Sequence, residues 1–129
     1  MKILQIVSGL IEAGAGLALL AAPSTAMKLL FGSPLDSTAG LALGRLAGAA
    51  LLALGVACLL AVADSKSRAA RGLVVALLLY NLGAVAVLAS AGFGGKALGE
   101  LLWPAVGLHT VMTVWCVRAL IGPGKNVPR

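Results

Sequence analysis

The sequence predicts an all-α fold, an integral membrane four-helix bundle with both termini in the cytoplasm, and three observations carry that prediction. The 129 residues are 60% hydrophobic and only 11% charged, with a mean hydropathy of +1.06, well outside the balance of soluble domains. The apolar residues gather into four runs, 3–22, 40–62, 72–91 and 101–120, each close to the roughly 20 residues that cross a hydrocarbon core. The basic residues divide unequally between the two sides that four crossings define. Lys2, Lys66, Arg68, Arg71, Arg118, Lys125 and Arg129 fall on the side of the termini, against Lys28 and Lys96 in the opposite loops. The positive-inside rule therefore assigns both termini to the cytoplasm, and residues 1–129 read as one transmembrane domain.

The same asymmetry accounts for the net charge of +6. Topogenic loops explain it without a nucleic-acid partner, and no aromatic residues interleave the basic ones as a base-stacking surface would need. The lipid bilayer is the expected partner, with a membrane-protein partner or a second copy of the chain beside it.

The first span, 3–22, follows Lys2 and superficially matches a secretory signal. Glu12 in its centre, and a run longer than the ~7–15 residues of a signal core, make it a retained helix. Gly9, Glu12 and Gly16 share one face of that helix at offsets of three and seven. Pro23 ends it, and Ser24 is placed to cap a short segment, 25–31, whose Met27, Leu30 and Phe31 recur at near-helical spacing before Gly32. An interfacial helix on the outer side is expected there, with a lid over the bundle as the alternative. Gly32-Ser33-Pro34 and Asp36-Ser37-Thr38 then supply turn and capping chemistry.

The second span carries Gly40, Gly44 and Gly48 at four-residue intervals, a stripe that lets another backbone approach closely. Asp64 to Arg71 form a charged loop able to meet anionic headgroups. The third span begins near Gly72, holds Tyr80 and Asn81, and ends at the turn-rich Gly92-Phe93-Gly94-Gly95. Trp103 and Trp115 bracket the fourth as interface aromatics. Pro104 either begins that helix or kinks an earlier start. Cys58 and Cys116 lie at similar depth near the cytoplasmic ends; without a CxxC spacing they read as packed thiols rather than a redox pair or metal ligands.

Glu12, Arg45, Asn81 and His109, with Tyr80, form the chemically unusual part of the chain. Measured from the outer helix ends at 1.5 Å per residue, Glu12 and Asn81 lie roughly 15 Å deep, His109 roughly 12 Å and Arg45 roughly 7–8 Å. A charge at that depth is expensive and normally faces a partner or a cavity. Arginine stays charged wherever it is placed, and Glu12 is the only acid deep in a span, so an Arg45–Glu12 ion pair is expected, a register-fixing anchor. The functional alternative makes Glu12 a proton or cation site, tuned by Arg45 and hydrogen-bonded by Asn81 or Tyr80. His109, the only histidine, is expected to be a hydrogen-bonded core residue, and one histidine rules out bis-histidine haem ligation within a monomer. Ser8 and Thr113 are expected to satisfy nearby carbonyls or side chains. No nucleophile–base pair, phosphate loop, cofactor motif or metal spacing is legible.

The order Pro23, then Leu30-Phe31-Gly32, then Gly44-Arg45-Leu46-Ala47-Gly48-Ala49-Ala50-Leu51, and finally Leu102-Trp103-Pro104 with His109, resembles uncharacterised bacterial families of small four-helix inner-membrane proteins over most of the chain. That resemblance implies a bacterial inner membrane and brings no activity. Small multidrug-type transporters are also similar in size, helix count and a glutamate in helix one, which in that family binds protons and cationic drugs. Only Glu12 carries over, and Arg45, the few aromatic residues and the longer first loop depart from that pattern.

Three function classes remain. The leading expectation is a non-enzymatic accessory or assembly subunit of a membrane complex, packed by glycine stripes and pinned by the polar layer. The alternative is a small oligomeric proton-linked transporter or permeation subunit using Glu12. A membrane redox or lipid-modifying enzyme is the third.

Overall fold

The computed structural model describes residues 1–94 and 98–122; Gly95, Lys96, Lys125 and Arg129 lie outside them. Five helices run in order: α1 (Lys2–Ala21), α2 (Pro23–Phe31), α3 (Thr38–Leu60), α4 (Arg68–Phe93) and α5 (Leu102–Ile121). The described residues are all-helical, and α1, α3, α4 and α5 are long and apolar enough to cross a membrane.

Local chemistry sets the boundaries. Pro23 occupies the first position of α2 rather than only ending α1, where its missing N–H costs nothing. The Ser24 hydroxyl donates to the Leu35 carbonyl at 2.9 Å instead of capping a helix. Gly32 closes α2 in the left-handed region at φ 73°, a conformation that favours glycine. Ser37 accepts from the Gly40 amide to cap α3, and Ser67 accepts from the Ala70 amide to cap α4. That second cap starts α4 at Arg68, four residues before the apolar run. Pro104 sits in the first turn of α5, so it starts that helix without kinking it.

The four long helices form two tight antiparallel pairs, α1 with α3 and α4 with α5. Glycines explain the first pair. A Cβ on Gly16 would stand 2.7 Å from the Gly48 carbonyl oxygen, and one on Gly55 would stand 2.8 Å from that of Gly9. Gly40 and Gly44 do not lie on this seam: Gly44 faces Pro23 and Leu35, and Gly40 faces its own cap, Ser37. Asn81 against His109 and Phe93 against Trp103 line up the second pair. At the far end of that pair the Arg71 guanidinium donates to the Leu120 carbonyl at 3.0 Å.

One end of the bundle joins the pairs solidly. Leu4, Cys58, Val74, Leu77, Met112 and Cys116, from all four helices, make the buried core; both thiols are free and fully buried. Toward the other end the pairs diverge and α2 packs across α1, α3 and α5. The Leu101 amide donates to the Leu29 carbonyl at 2.9 Å, tying the start of α5 to α2.

Candidate functional site

Where the two pairs diverge they leave a cleft of about 580 Å³. Its walls are apolar, with Ile11 and Leu19 from α1, Leu51 from α3, Leu79 and Val87 from α4 and Leu108 from α5. Three polar side chains also line it, Glu12, Tyr80 and His109, placed there by α1, α4 and α5. A mostly apolar hollow with a few convergent polar groups is the usual form of a small-molecule site.

Glu12 is only 3% exposed. Tyr80 lines the same cleft beside it. The Tyr80 and His109 rings meet edge to face, with centroids 5.5 Å apart and planes at 82°, a favourable aromatic arrangement. Asn81 is buried behind them. Its Nδ2 donates to the Leu77 carbonyl at 2.8 Å, and its Oδ1 lies 2.8 Å from His109 Nδ1. Thr113 donates to the His109 carbonyl at 2.8 Å, as a helical threonine readily does.

Glu12, Tyr80, Asn81 and His109 are thus brought together. Arg45 is not: it is exposed on α3 while Glu12 is buried, and no ion pair joins them. Register and rotation both separate them: Gly9 against Gly55 and Gly16 against Gly48 set Glu12 level with Leu52, seven residues or about 10 Å along α3 from Arg45. At 100° per residue, Arg45 lies about 80° round α3 from Gly55, which faces α1, and about 120° from Leu51, which faces the cleft. The glycine seam turns Arg45 away, toward a side of α3 left exposed by the described residues. Asn81, for its part, serves Leu77 and His109 rather than Glu12.

Sequence reasoning missed Gln5. It is 0% exposed, and its amide nitrogen and oxygen, like the Ser8 hydroxyl, are buried without a hydrogen-bond partner among the described residues. Ser8 therefore does not satisfy a nearby carbonyl. Gln5, Ser8 and Glu12 follow one another at i, i+3 and i+7, one continuous polar stripe on α1; that spacing is the signal that could have found Gln5. Gly55 was missed too, although it follows Gly48 by seven residues as Gly16 follows Gly9.

Among the described residues no cluster of His, Cys, Asp or Glu could hold a metal ion. The arrangement can bind a small apolar molecule through one polar end, and it presents an acid able to hold a proton or a cation. Comparison with protein-family models, curated proteins and solved structures finds no match for this chain. The fold and site define a helical protein of four membrane-length spans with a polar-headed cleft between two helix pairs.

Proposed function

We propose that the protein is a small polytopic membrane protein that works through Glu12 as a proton-linked transporter or permeation subunit. One observation carries the reading: the Glu12 carboxyl is buried on the wall of a cleft with Tyr80, not a cation, as its neighbour. An intramembrane acid that faces a cavity rather than a counter-ion is what a proton or cation path requires. Had Arg45 paired with it, a structural anchor would have been the better account. The positive-inside rule supports a cytoplasmic placement of the end bearing Lys2, Lys66, Arg68, Arg71 and Arg118, and the sequence resemblance favours a bacterial inner membrane.

The test is proton flux in vesicles reconstituted with purified protein, driven by a potassium diffusion potential and read by an internal pH dye. The wild type dissipates the gradient faster than protein-free vesicles, and Glu12→Gln returns it to the protein-free rate. Equal rates for wild type and Glu12→Gln would remove Glu12 from the function.

The accessory-subunit reading keeps one observation in its favour. Arg45, with Leu43 and Leu46 each 66% exposed beside it, lies on a face of α3 that none of the described residues covers, and a charge within a span usually faces a partner. Gentle native purification that recovers a stoichiometric membrane protein, lost on Arg45→Ala, would establish that reading instead.

A further inference from the structure

We infer that the cleft takes an apolar molecule whose head group donates a hydrogen bond to His109 Nε2, the chemistry shared by a long-chain alcohol and an alkylamine. This rests on the reading of the cleft around Glu12 as the working site. It follows from the donors and acceptors that line it.

The Asn81 amide can face only one way. Its Nδ2 donates to the Leu77 carbonyl at 2.8 Å; turning the amide over would set two oxygens against each other at that distance. Oδ1 must then face His109 Nδ1, 2.8 Å away, and the contact is a hydrogen bond only if Nδ1 carries the proton. A neutral imidazole has one N–H, so Nε2 is left as a lone-pair acceptor. His109 lines the cleft, and its only side-chain hydrogen bond among the described residues is through Nδ1. The Tyr80 hydroxyl and the Glu12 carboxyl line the cleft beside it. A carboxyl keeps an accepting oxygen in either protonation state. His109 Nε2 and at least one Glu12 oxygen are therefore available to accept from a ligand's head group.

The rest of the lining has no such polarity, and it extends. A second apolar groove of about 330 Å³ shares Ala15, Leu19 and Leu30 with the cleft and continues beneath α2 to Leu101. A hydrocarbon chain fits that continuous wall with its head at Glu12 and His109. An O–H or N–H head donates to Nε2. A ketone, ester or quinone brings only acceptors and leaves Nε2 unpaired, and a site built on a hydrogen bond disfavours an analogue that cannot make it.

The single histidine makes the test direct. Protein with a tag free of histidine, labelled with 15N at histidine and held in lipid nanodiscs, gives the imidazole signals of His109 alone. The expected tautomer is Nδ1–H with a bare Nε2. Titration with dodecanol and with dodecylamine shifts the Nε2 resonance toward the hydrogen-bonded position, while 2-dodecanone requires at least tenfold more ligand or does nothing. A shift with only one of the two donors identifies which head group the site takes. Asn81→Leu, which frees the tautomer, reduces the preference for alcohol over ketone. Gly83→Leu separates occupancy from partitioning into lipid: Gly83 lines the cleft and a Cβ there meets nothing within 4 Å, so the added side chain fills the space, abolishes the shift and leaves the tautomer unchanged. An Nε2–H tautomer, a ketone as effective as the alcohol, no shift with either donor, or a shift that survives Gly83→Leu would each overturn the inference. None of these readouts depends on flux, so loss of the proton-path reading and loss of the ligand inference are distinguishable.

Discussion

Gly16 and Gly48 meet backbone to backbone. A Cβ on Gly48 would stand 2.8 Å from the Gly16 carbonyl oxygen, and one on Gly16 2.7 Å from that of Gly48. Neither neighbour is a flexible side chain that could move aside. Gly16→Ala or Gly48→Ala should therefore force α1 and α3 apart, at a cost of about 1–3 kcal/mol as in overpacked cores, with leucine worse at both. Gly14 and Gly107 serve as controls, since a Cβ at either meets nothing within 4 Å. Alanine there should be neutral, or stabilising by the ~0.5–1 kcal/mol that glycine costs within a helix. Unfolding in mixed micelles titrated with a denaturing detergent measures all four.

Gln5 gives the opposite sign. Its amide is wholly buried and unpartnered, a state whose desolvation cost is about 1–3 kcal/mol. Replacing it with methionine, similar in length and shape, should raise the unfolding free energy by about that amount. Ser8→Ala should act in the same direction and less strongly. A destabilised Gln5→Met protein in the same unfolding assay would mean that the amide has a partner in the membrane.

The four long apolar helices were legible because about 20 consecutive apolar residues have few other uses, and the caps refined them: Ser67 carries α4 back to Arg68, into charged sequence that hydropathy alone assigns to a loop. Depth was legible as well, since Glu12, Tyr80, Asn81 and His109 do converge. Rotation about the helix axis was not. Depth follows from counting residues, whereas the azimuth of α3 is set by which glycines touch α1, and the four-residue stripe of Gly40, Gly44 and Gly48 pointed to a different face from the seven-residue pairing of Gly9 and Gly16 with Gly55 and Gly48. Arg45 lies about 60° round α3 from Gly48 and about 80° from Gly55, on the far side of that seam from Leu51 and the cleft. The cleft itself is a gap between two pairs, and no local pattern in the sequence records it.

Arg71 links the start of α4 to the end of α5 by donating to the Leu120 carbonyl. A cation on the last carbonyls of a helix opposes the partial negative charge there, an effect of about 0.3–1 kcal/mol at exposed positions. Arg71→Met should leave global stability nearly unchanged yet accelerate amide exchange in the last turn of α5. Hydrogen exchange confined to that turn is the expected result, and uniform exchange would assign Arg71 to loop charge alone.

Glu12 has two candidate partners, and a pair of double-mutant cycles separates them. Tyr80 stands beside Glu12 on the wall of one cleft, so Glu12→Gln and Tyr80→Phe act on neighbouring groups. Their unfolding effects should depart from additivity by more than about 0.5 kcal/mol. Arg45 shares no contact with Glu12 and lies on an exposed side of α3. Glu12→Gln combined with Arg45→Met should therefore be additive to within about 0.3–0.5 kcal/mol, the usual behaviour of independent sites. The reverse pattern, coupling with Arg45 and none with Tyr80, would require α3 to slide by up to about 10 Å along α1 as well as turn about its axis. Such a movement would break the Gly9–Gly55 and Gly16–Gly48 contacts, so the Gly48→Ala penalty predicted above would vanish in the same protein. The two measurements are thus bound together: a large penalty at Gly48 is incompatible with an ion pair at Glu12.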